Sequence, residues 1–227
     1  QYDETARYIV SIQADSKLGW LHLAPTLYWN RTFDHYQLIR HSSNGENFHR
    51  NDVYGINLNA YFTILLGKTS FGMETRNEGI LSSALGRPME ESQYVDVPWH
   101  SGQLYKKKDN RTNLSYYLEH NILLPKATFS VGVMANQNTG YDSKFHFYPG
   151  VDIAWRPTRE WKIAASWNMA LRMPTFTDLY YKSPTQEGNV GLRPEETQAF
   201  SLGAQYRRPI IRTSANMFYH KGKNMID

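Results

Sequence analysis

The chain has 227 residues, a net charge of +4 and 14% aromatic residues. This length fits one large domain or two small ones. The weak positive charge predicts no nucleic-acid partner, because nucleic-acid binders concentrate basic residues far more strongly. Cysteine is absent, which excludes a disulfide scaffold, a cysteine nucleophile and thiolate zinc sites.

The mean hydropathy is −0.61, and no apolar run approaches the roughly 20 residues that a transmembrane helix requires. A low average does not exclude a membrane β-barrel, because its strands alternate lipid-facing and lumen-facing residues. The spacing of the apolar residues is therefore more informative than their average.

Apolar and polar residues alternate along four long segments, which are, in chain order, 54–64, 114–124, 145–155 and 161–172. This period of two indicates β-strands, since a helix returns to the same face every 3.6 residues. Soluble strands have a mode of about 5–6 residues, whereas a tilted membrane strand needs about 9–11. We therefore expect Ile153, Ile163 and Trp167 to face outward, and Asp152, Lys162 and Asn168 to face inward.

Short turns and long polar loops alternate along the chain. The predicted short turns are 15–17, 67–69, 125–126, 156–159 and 207–209, and the predicted long loops are 40–51, 77–111, 137–144 and 174–195. Outer-membrane barrels have short periplasmic turns and longer extracellular loops. The sequence therefore predicts an all-β fold, an antiparallel up-and-down transmembrane β-barrel segment of about ten strands, with residues 1–227 as one domain.

Aromatic residues gather at both ends of these strands. Those near the short turns are Trp20, Phe71, Trp155, Trp161 and Tyr206, and those near the long loops are Tyr28, Trp29, Phe33, Tyr116, Phe145, Phe147 and Tyr219. Two such groups predict the two interfacial girdles of a membrane barrel. The alternative is a soluble β-rich binding module, in which the same residues would be buried against a second sheet.

The sequence carries no Gly-x-Ser-x-Gly, no His-Glu-x-x-His and no phosphate-binding glycine loop. Asp34 and His35 are similar to the acid/base pair of ten-stranded outer-membrane proteases, which are the alternative enzyme class. Adjacent strand residues point to opposite faces, however, which disfavours their cooperation. His41, His49 and His100 fall in predicted loops, where solvated side chains are the simpler interpretation. We therefore predict no enzyme, no cofactor and no metal.

An ordered motif lies between residues 172 and 195. Its members are Arg172, Pro174, Asp178, Leu179 and Tyr180, followed by Gly188, Asn189, Leu192, Pro194 and Glu195. It resembles the C-terminal barrel region of TonB-dependent outer-membrane receptors, which carries R-x-P-x-x-x-(D/E)-L-Y and then G-N-x-x-L-(K/R)-P-E. The prolines suit strand ends because they cannot donate to a ladder, and Gly-Asn is turn chemistry.

The resemblance implies a segment of a barrel of about 22 strands, in the bacterial cell outer membrane. Such receptors import a scarce, bulky nutrient, here cobalamin, a ferric siderophore or a similar compound, with energy supplied through TonB. Haem receptors usually place a histidine between the two halves of the motif, and none lies between Pro174 and Asn189. The resemblance also implies that the chain is a fragment lacking the plug domain and the N-terminal region that contacts TonB.

Ligand contacts are expected in the long loops, which usually carry binding residues. The predicted contacts are Tyr94, Trp99, Tyr105, Lys107, Tyr180 and Tyr181. Aromatic rings bury area with little loss of entropy, and bases hold acidic groups. The run 106–108 with Arg111 is a basic cluster that suits the phosphates of lipopolysaccharide, the expected lipid partner, or an anionic ligand; a solvated run of charge is the simpler interpretation.

Overall fold

The computed structural model describes residues 1–43 and 45–226. Their strands are β1 (Tyr2–Gln13), β2 (Ser16–Leu18), β3 (Leu21–Gln37), β4 (Asn47–Ile64), β5 (Gly67–Ser82), β6 (Arg87–Pro88), β7 (Val95–Asp96), β8 (Leu104–Tyr105), β9 (Lys107–Leu123), β10 (Ala127–Asn138), β11 (His146–Trp155), β12 (Trp161–Arg172), β13 (Glu195–Arg207) and β14 (Arg212–Lys223). A 3₁₀ helix (Glu91–Gln93) and the helix α1 (Phe176–Tyr180) lie in two of the loops. Among the described residues, no helix is both long and apolar enough to span a membrane.

Ten strands form one antiparallel sheet in the order β1, β3, β4, β5, β9, β10, β11, β12, β13 and β14. The short strands β2 and β6 pair with β3 and β9, while β7 and β8 form a separate two-stranded sheet. Each long strand neighbours the next long strand in the chain, which is an up-and-down topology. Within residues 1–43 and 45–226, β1 and β14 are the two edges of an open sheet. The predicted all-β segment is confirmed.

The strand register separates an apolar face from a polar face, because directly paired residues of antiparallel strands share a face. One row across the apolar face is Val131, Val151, Trp167, Phe200 and Tyr219. The neighbouring row on the opposite face is Glu119, Gly132, Gly150, Asn168, Ala199 and His220. In membrane barrels the apolar face contacts lipid, so we call it the outer face and the polar one the inner face.

The expected division of side chains between the faces is confirmed for β11 and β12. Ile153, Ile163 and Trp167 lie on the outer face. The polar set of Asp152, Lys162 and Asn168 lies on the inner face. This arrangement leaves large apolar side chains exposed on one surface of the sheet, which is the expected state of a wall that faces lipid.

The aromatic residues near the short turns follow the same rule. Trp161 pairs with Tyr206 on the outer face, and their ring centroids lie 5.0 Å apart. The girdle prediction was wrong for Tyr28, which lies on the inner face and donates its hydroxyl to Glu74 Oε1 at 2.7 Å. The next residue of the same strand, Trp29, lies on the outer face. An aromatic residue near a strand end therefore belongs to a girdle only when the alternation also directs it outward.

Two of the predicted long loops, 40–51 and 77–111, were too wide, because the strands continue into them. Within the described residues, the loops occupy 38–43 and 45–46, then 83–106, 139–145 and 173–194. Beyond the lipid both faces of a strand meet polar surroundings, so the alternation disappears from the sequence while the backbone pairing persists. His49 accordingly lies in β4 rather than in a loop, where its Nδ1 is 2.7 Å from Ser82 Oγ.

The turn between β4 and β5 was predicted at 67–69, but those residues lie in β5, and the turn comes earlier and is shorter. Ile64 pairs with Gly67, which leaves only Leu65 and Leu66 in the turn. Gly67 has φ of 146°, and a Cβ added there would lie 1.8 Å from the carbonyl oxygen of Asn121 in the neighbouring strand β9. Glycine is therefore the residue that allows both the turn and the close approach.

We predict that Leu202→Asp will lower the stability of the complete barrel in bilayers by about 1–2 kcal/mol, because a charge near mid-depth on the lipid face must be desolvated. Leu202 lies on the outer face between Ala165 and Met217. Gln205→Asp is the matched control, since Gln205 lies on the inner face of the same strand and pairs with Lys162. The fraction folded during a urea titration measures both variants, and equal tolerance would contradict the assignment of the faces.

Candidate functional site

The loop 173–194 folds from β12 across the inner face to β9. Arg111 Nη1 donates to the carbonyl oxygen of Pro174 at 2.5 Å, and its guanidinium carbon lies 4.9 Å from the Phe176 ring centroid. Tyr180 donates its hydroxyl to Asp109 Oδ2 at 2.6 Å. Because β10 and β11 lie between β9 and β12 in the sheet, the loop must cross both strands to make these contacts. It therefore covers part of the polar surface.

Arg111 is held in place by an ion network on the inner wall. Its Nε and Nη2 lie 2.7 and 2.6 Å from Glu78 Oε2. Arg76 Nη2 lies 2.8 Å from the other oxygen of the same carboxylate. Charge-assisted hydrogen bonds of this kind are about twice as strong as neutral ones. The network thus gives the loop a fixed point of attachment.

The first half of the sequence motif builds the loop itself. Thr175 Oγ1 accepts from the Asp178 backbone at 3.1 Å, and Asp178 Oδ2 accepts from the Thr175 backbone at 2.8 Å. These two bonds form a capping box at the start of α1, which satisfies backbone donors that the helix leaves unpaired. Arg172 Nη2 lies 3.4 Å from Asp178 Oδ2, and Arg172 Nη1 lies 2.9 Å from Glu195 Oε1. The two strand ends that carry the loop are thereby tied together.

The second half of the motif packs against the first. The Gly188 backbone donates to the Tyr181 carbonyl at 2.6 Å, and the Asn189 backbone donates to the Asp178 carbonyl at 3.0 Å. A Cβ added at Gly188 would lie 2.8 Å from the carbonyl carbon of Leu179. Further bonds run from the Leu192 backbone to the Asn189 carbonyl and from Asn224 to the Pro194 carbonyl. These motif residues therefore shape the loop, because their polar groups bond within it or at its strand ends.

Tyr180 connects this loop to the wall. Burial and its hydrogen bond to Asp109 raise the pKa of the Tyr180 hydroxyl above its ordinary value. Arg87 Nε lies 3.5 Å from the same hydroxyl and 4.0 Å from Asp109 Oδ1. Tyr180 therefore remains a neutral donor around neutral pH, and the bond to Asp109 persists there.

The six predicted ligand contacts do not form one cluster. Tyr180 and Tyr181 lie in the loop on the inner face, and Lys107 lies at an inner-face register position. Tyr105 is only 1% exposed and packs with Phe48 and Val97.

The other predicted aromatic contacts lie with Tyr105 in the loop 83–106, part of which packs on the outer side of the wall. Trp99 is 71% exposed, and its ring lies 5.2 Å from that of Phe33, an outer-face residue. The ring centroid of Tyr94 lies 5.9 Å from Lys106 Nζ. Two groups of predicted contacts are therefore on opposite sides of the sheet.

The predicted basic cluster is also divided. Lys107 Nζ donates to the Ala84 carbonyl at 2.7 Å on the inner side, while Lys108 Nζ donates to Gln93 Oε1 at 3.2 Å. Lys107 and Lys108 occupy opposite faces of β9. A run of adjacent bases in a loop can converge on one anion, but in a strand the pleat separates neighbours.

Asp34 and His35 lie on opposite faces, as the alternation predicts. Asp34 Oδ1 accepts from Thr5 Oγ1 at 3.1 Å on the inner face. His35 stacks on Phe48 on the outer face at 4.4 Å between ring centroids. Among residues 1–43 and 45–226, no group of three or more histidine, aspartate and glutamate side chains is arranged to hold a metal.

Sequence reasoning missed the inner-wall network of Arg76, Glu78 and Arg111. A signal was present, since charged residues occupy every second position at 74, 76 and 78. This spacing places three charges on one face of β5, although it does not reveal that Arg111 of the next long strand completes the network.

We predict that Gly188→Val will displace the loop from the inner face, because its side chain would collide with the backbone of α1. Overpacking of about 1–3 kcal/mol should raise the rate of limited proteolysis within 173–194 about tenfold in the complete protein. Gly191→Ala is the control, since its Cβ would meet only the Asn189 side-chain oxygen at 3.1 Å. Identical cleavage rates in the two variants would show that Gly188 does not position the loop.

Comparisons with known proteins agree with this architecture. The siderophore receptor PirA from Acinetobacter baumannii has a TM-score of 0.76 at 13% identity, covering 97% of this chain and 35% of that one. A mutant of the ferric enterobactin receptor PfeA from Pseudomonas aeruginosa has a TM-score of 0.77 at 15% identity, covering 97% and 35%. The FrpB iron transporter from Neisseria meningitidis has a TM-score of 0.69 at 17% identity, covering 98% and 38%.

These likenesses show the fold, and this chain spans a little over a third of the length of those receptors. A search of curated protein sequences gives no significant match. The family model described as "TonB dependent receptor-like, beta-barrel" matches residues 1–227. The chain therefore belongs to the TonB-dependent receptor-like β-barrel family.

Proposed function

We propose that this chain forms part of the barrel wall of a bacterial outer-membrane receptor that imports a scarce, bulky nutrient with energy supplied through TonB. The observation that carries the proposal is the loop 173–194, which is anchored on a polar inner face while the opposite face of the same sheet is apolar. Such a wall suits a lumen through which a polar ligand passes beneath a covering loop.

The inner face offers hydrogen bonds rather than a reactive group. Tyr117 donates to Asn59, Ser166 bonds Ser201, and Asn168 donates to Asp152. Such paired polar groups can exchange hydrogen bonds with a passing ligand without covalent chemistry. TonB-dependent receptors are transporters rather than enzymes, in keeping with this surface. The alternative of a ten-stranded protease has no comparable support, because Asp34 and His35 are divided by the sheet.

We favour a ferric siderophore as the ligand and keep cobalamin as the second possibility. The similar solved structures include siderophore receptors and an iron transporter. Within this chain we place the ligand contacts at Lys107, Tyr180 and Tyr181, which belong to the inner side. Tyr94, Trp99 and Tyr105 remain a prediction from the sequence. Outside this chain, we propose a plug in the lumen and a contact region for TonB, and lipopolysaccharide as the surrounding lipid.

Uptake by the complete receptor tests this function. The receptor would be expressed in a Gram-negative strain that lacks its own siderophore and cobalamin receptors, with a panel of radiolabelled ferric siderophores and cyanocobalamin. We expect uptake of one class of compound, and its loss in a matched strain without TonB. Uptake that is unaffected by loss of TonB, or no uptake of any compound, would refute the proposal.

The two groups of aromatic residues give a sharper prediction. Tyr181→Ala should raise the concentration of ligand needed for half-maximal uptake about tenfold, because truncating an aromatic hot-spot residue costs more than about 1 kcal/mol. Trp99→Ala is the matched aromatic truncation on the outer side and should change this value by less than about twofold. The opposite order would place the ligand contacts in the loop 83–106 instead.

A further inference from the structure

We propose that Gly55 and Gly72 set the clearance of the lumen along the inner face of β3, β4, β5 and β9. Each glycine receives the ring of a tyrosine, Tyr28 or Tyr117, that would otherwise project into the passage. The inference rests on the proposed function and deepens it, because it names residues that determine how bulky a ligand can pass this wall.

Tyr117 lies across the strand next to its own. Asn59, Gly72 and Tyr117 form one row across β4, β5 and β9 on the inner face. The Tyr117 side chain passes over Gly72, and its hydroxyl donates to Asn59 Oδ1, two strands away, at 2.8 Å. A Cβ added at Gly72 would overlap Cε1 of the ring and lie 2.8 Å from its Cζ. Gly72 is accordingly buried, although it lies on a surface that faces the lumen.

Tyr28 repeats this arrangement from the other side. Its register partner on β4 is Gly55, where an added Cβ would lie 2.7 Å from the Tyr28 hydroxyl oxygen. That hydroxyl donates to Glu74 Oε1 on β5 at 2.7 Å. One ring therefore crosses from β3 toward β5, and the other crosses from β9 toward β4. Since two strands use the same combination of a tyrosine, a glycine and a more distant acceptor, it is a feature of the wall.

The arrangement lowers the height of the wall. Side chains in a sheet normally stand roughly perpendicular to it. Packed sheets lie about 10 Å apart, so one layer of upright side chains takes about 5 Å. Rings that lie along the backbone return much of this depth to the lumen. The inner positions around the two rings carry the short polar side chains of Asn57, Asn59, Ser70 and Ser115. The wall is therefore level where a bulky ligand would pass.

Alanine at position 72 would remove this place for the ring. Its methyl group and the Tyr117 ring would compete for the same volume, so the ring must turn to another staggered position of χ1. Such a turn moves the ring off the backbone of β5 and breaks its hydrogen bond to Asn59. The clearance of the lumen should fall as a result.

Uptake and binding by the complete receptor, measured separately, test this inference with the panel of radiolabelled ferric siderophores and cyanocobalamin. Gly72→Ala should lower the maximal rate of uptake of the imported compound about tenfold, which corresponds to a barrier higher by about 1.4 kcal/mol. Binding of the same compound to cells that lack TonB should change by less than about twofold. Adding Tyr117→Ala to Gly72→Ala should restore the rate, since no ring remains to be displaced.

Gly203→Ala is the matched control. Its Cβ would lie 2.6 Å from Oδ1 of Asn216, its register partner on the inner face. The collision is of the same kind but displaces a short side chain, so the rate of uptake should change by less than about twofold.

Ser70→Tyr is a second test that does not require a collision at Gly72. Ser70 lies on the inner face of the same strand, and its register partners are Tyr61 and Glu119, so no glycine receives the added ring. The ring should stand upright and slow uptake as well. Urea titration checks that every variant is folded, and Ser70→Tyr decides the matter if Gly72→Ala does not fold.

Unchanged uptake by Ser70→Tyr or by folded Gly72→Ala would overturn the inference and leave the proposed function intact. So would a loss of uptake that Tyr117→Ala fails to restore, because the ring would then not be its cause. An equal loss of binding would place Tyr117 at the binding step and also overturn the inference. A receptor that imports no compound of the panel would refute the proposed function, and this inference with it.

Discussion

The pleat of the β-strand is the constraint on which the rest of this structure depends. In a bilayer every backbone donor and acceptor needs a partner within the protein, and a closed series of antiparallel strands is one of two ways to provide it. The pleat then assigns successive side chains to opposite faces. As a result, one sequence can present apolar groups to lipid and polar groups to a lumen without any stretch that is uniformly hydrophobic. This is why the wall forms from a chain whose mean hydropathy is −0.61.

A second level of organisation begins where the strands leave the lipid. There the loop 173–194 is held together by its own bonds, including the capping box of Thr175 and Asp178 and the contact of Gly188 with α1. Its attachment to the wall uses different residues, chiefly Arg111 and Tyr180. The residues that shape the loop therefore differ from those that attach it to the wall. Both the shape and the attachment depend on a few short polar contacts rather than on an apolar core.

The sequence predicted the sheet well because the alternation of side chains is a local property. The segment 161–172 matches β12 residue for residue. The sequence predicted the loop boundaries less well. Where strands pair beyond the lipid, both of their faces are polar, so the sequence shows no alternation there. Residues 47–51 of β4 are an example, since they were predicted to lie in a loop. The candidate site was the least predictable part. Tyr105 and Tyr180 are equivalent as aromatic loop residues in the sequence, but one is buried beside Phe48 and the other contacts Asp109 through long-range folding.

The internal bonding of the loop 173–194 also has a consequence for sequence variation. The motif residues form its frame, whereas the segment 182–187 lies between the two halves of that frame and is largely exposed. Lys182 and Glu187 join across this segment through a salt bridge between exposed side chains, which contributes little to stability. Ser183 closes the turn between them with backbone and side-chain bonds to Gln186. Substitutions there can therefore accumulate at low cost to folding. Such a segment would allow the tip of the loop to diversify while the frame beneath it stays the same.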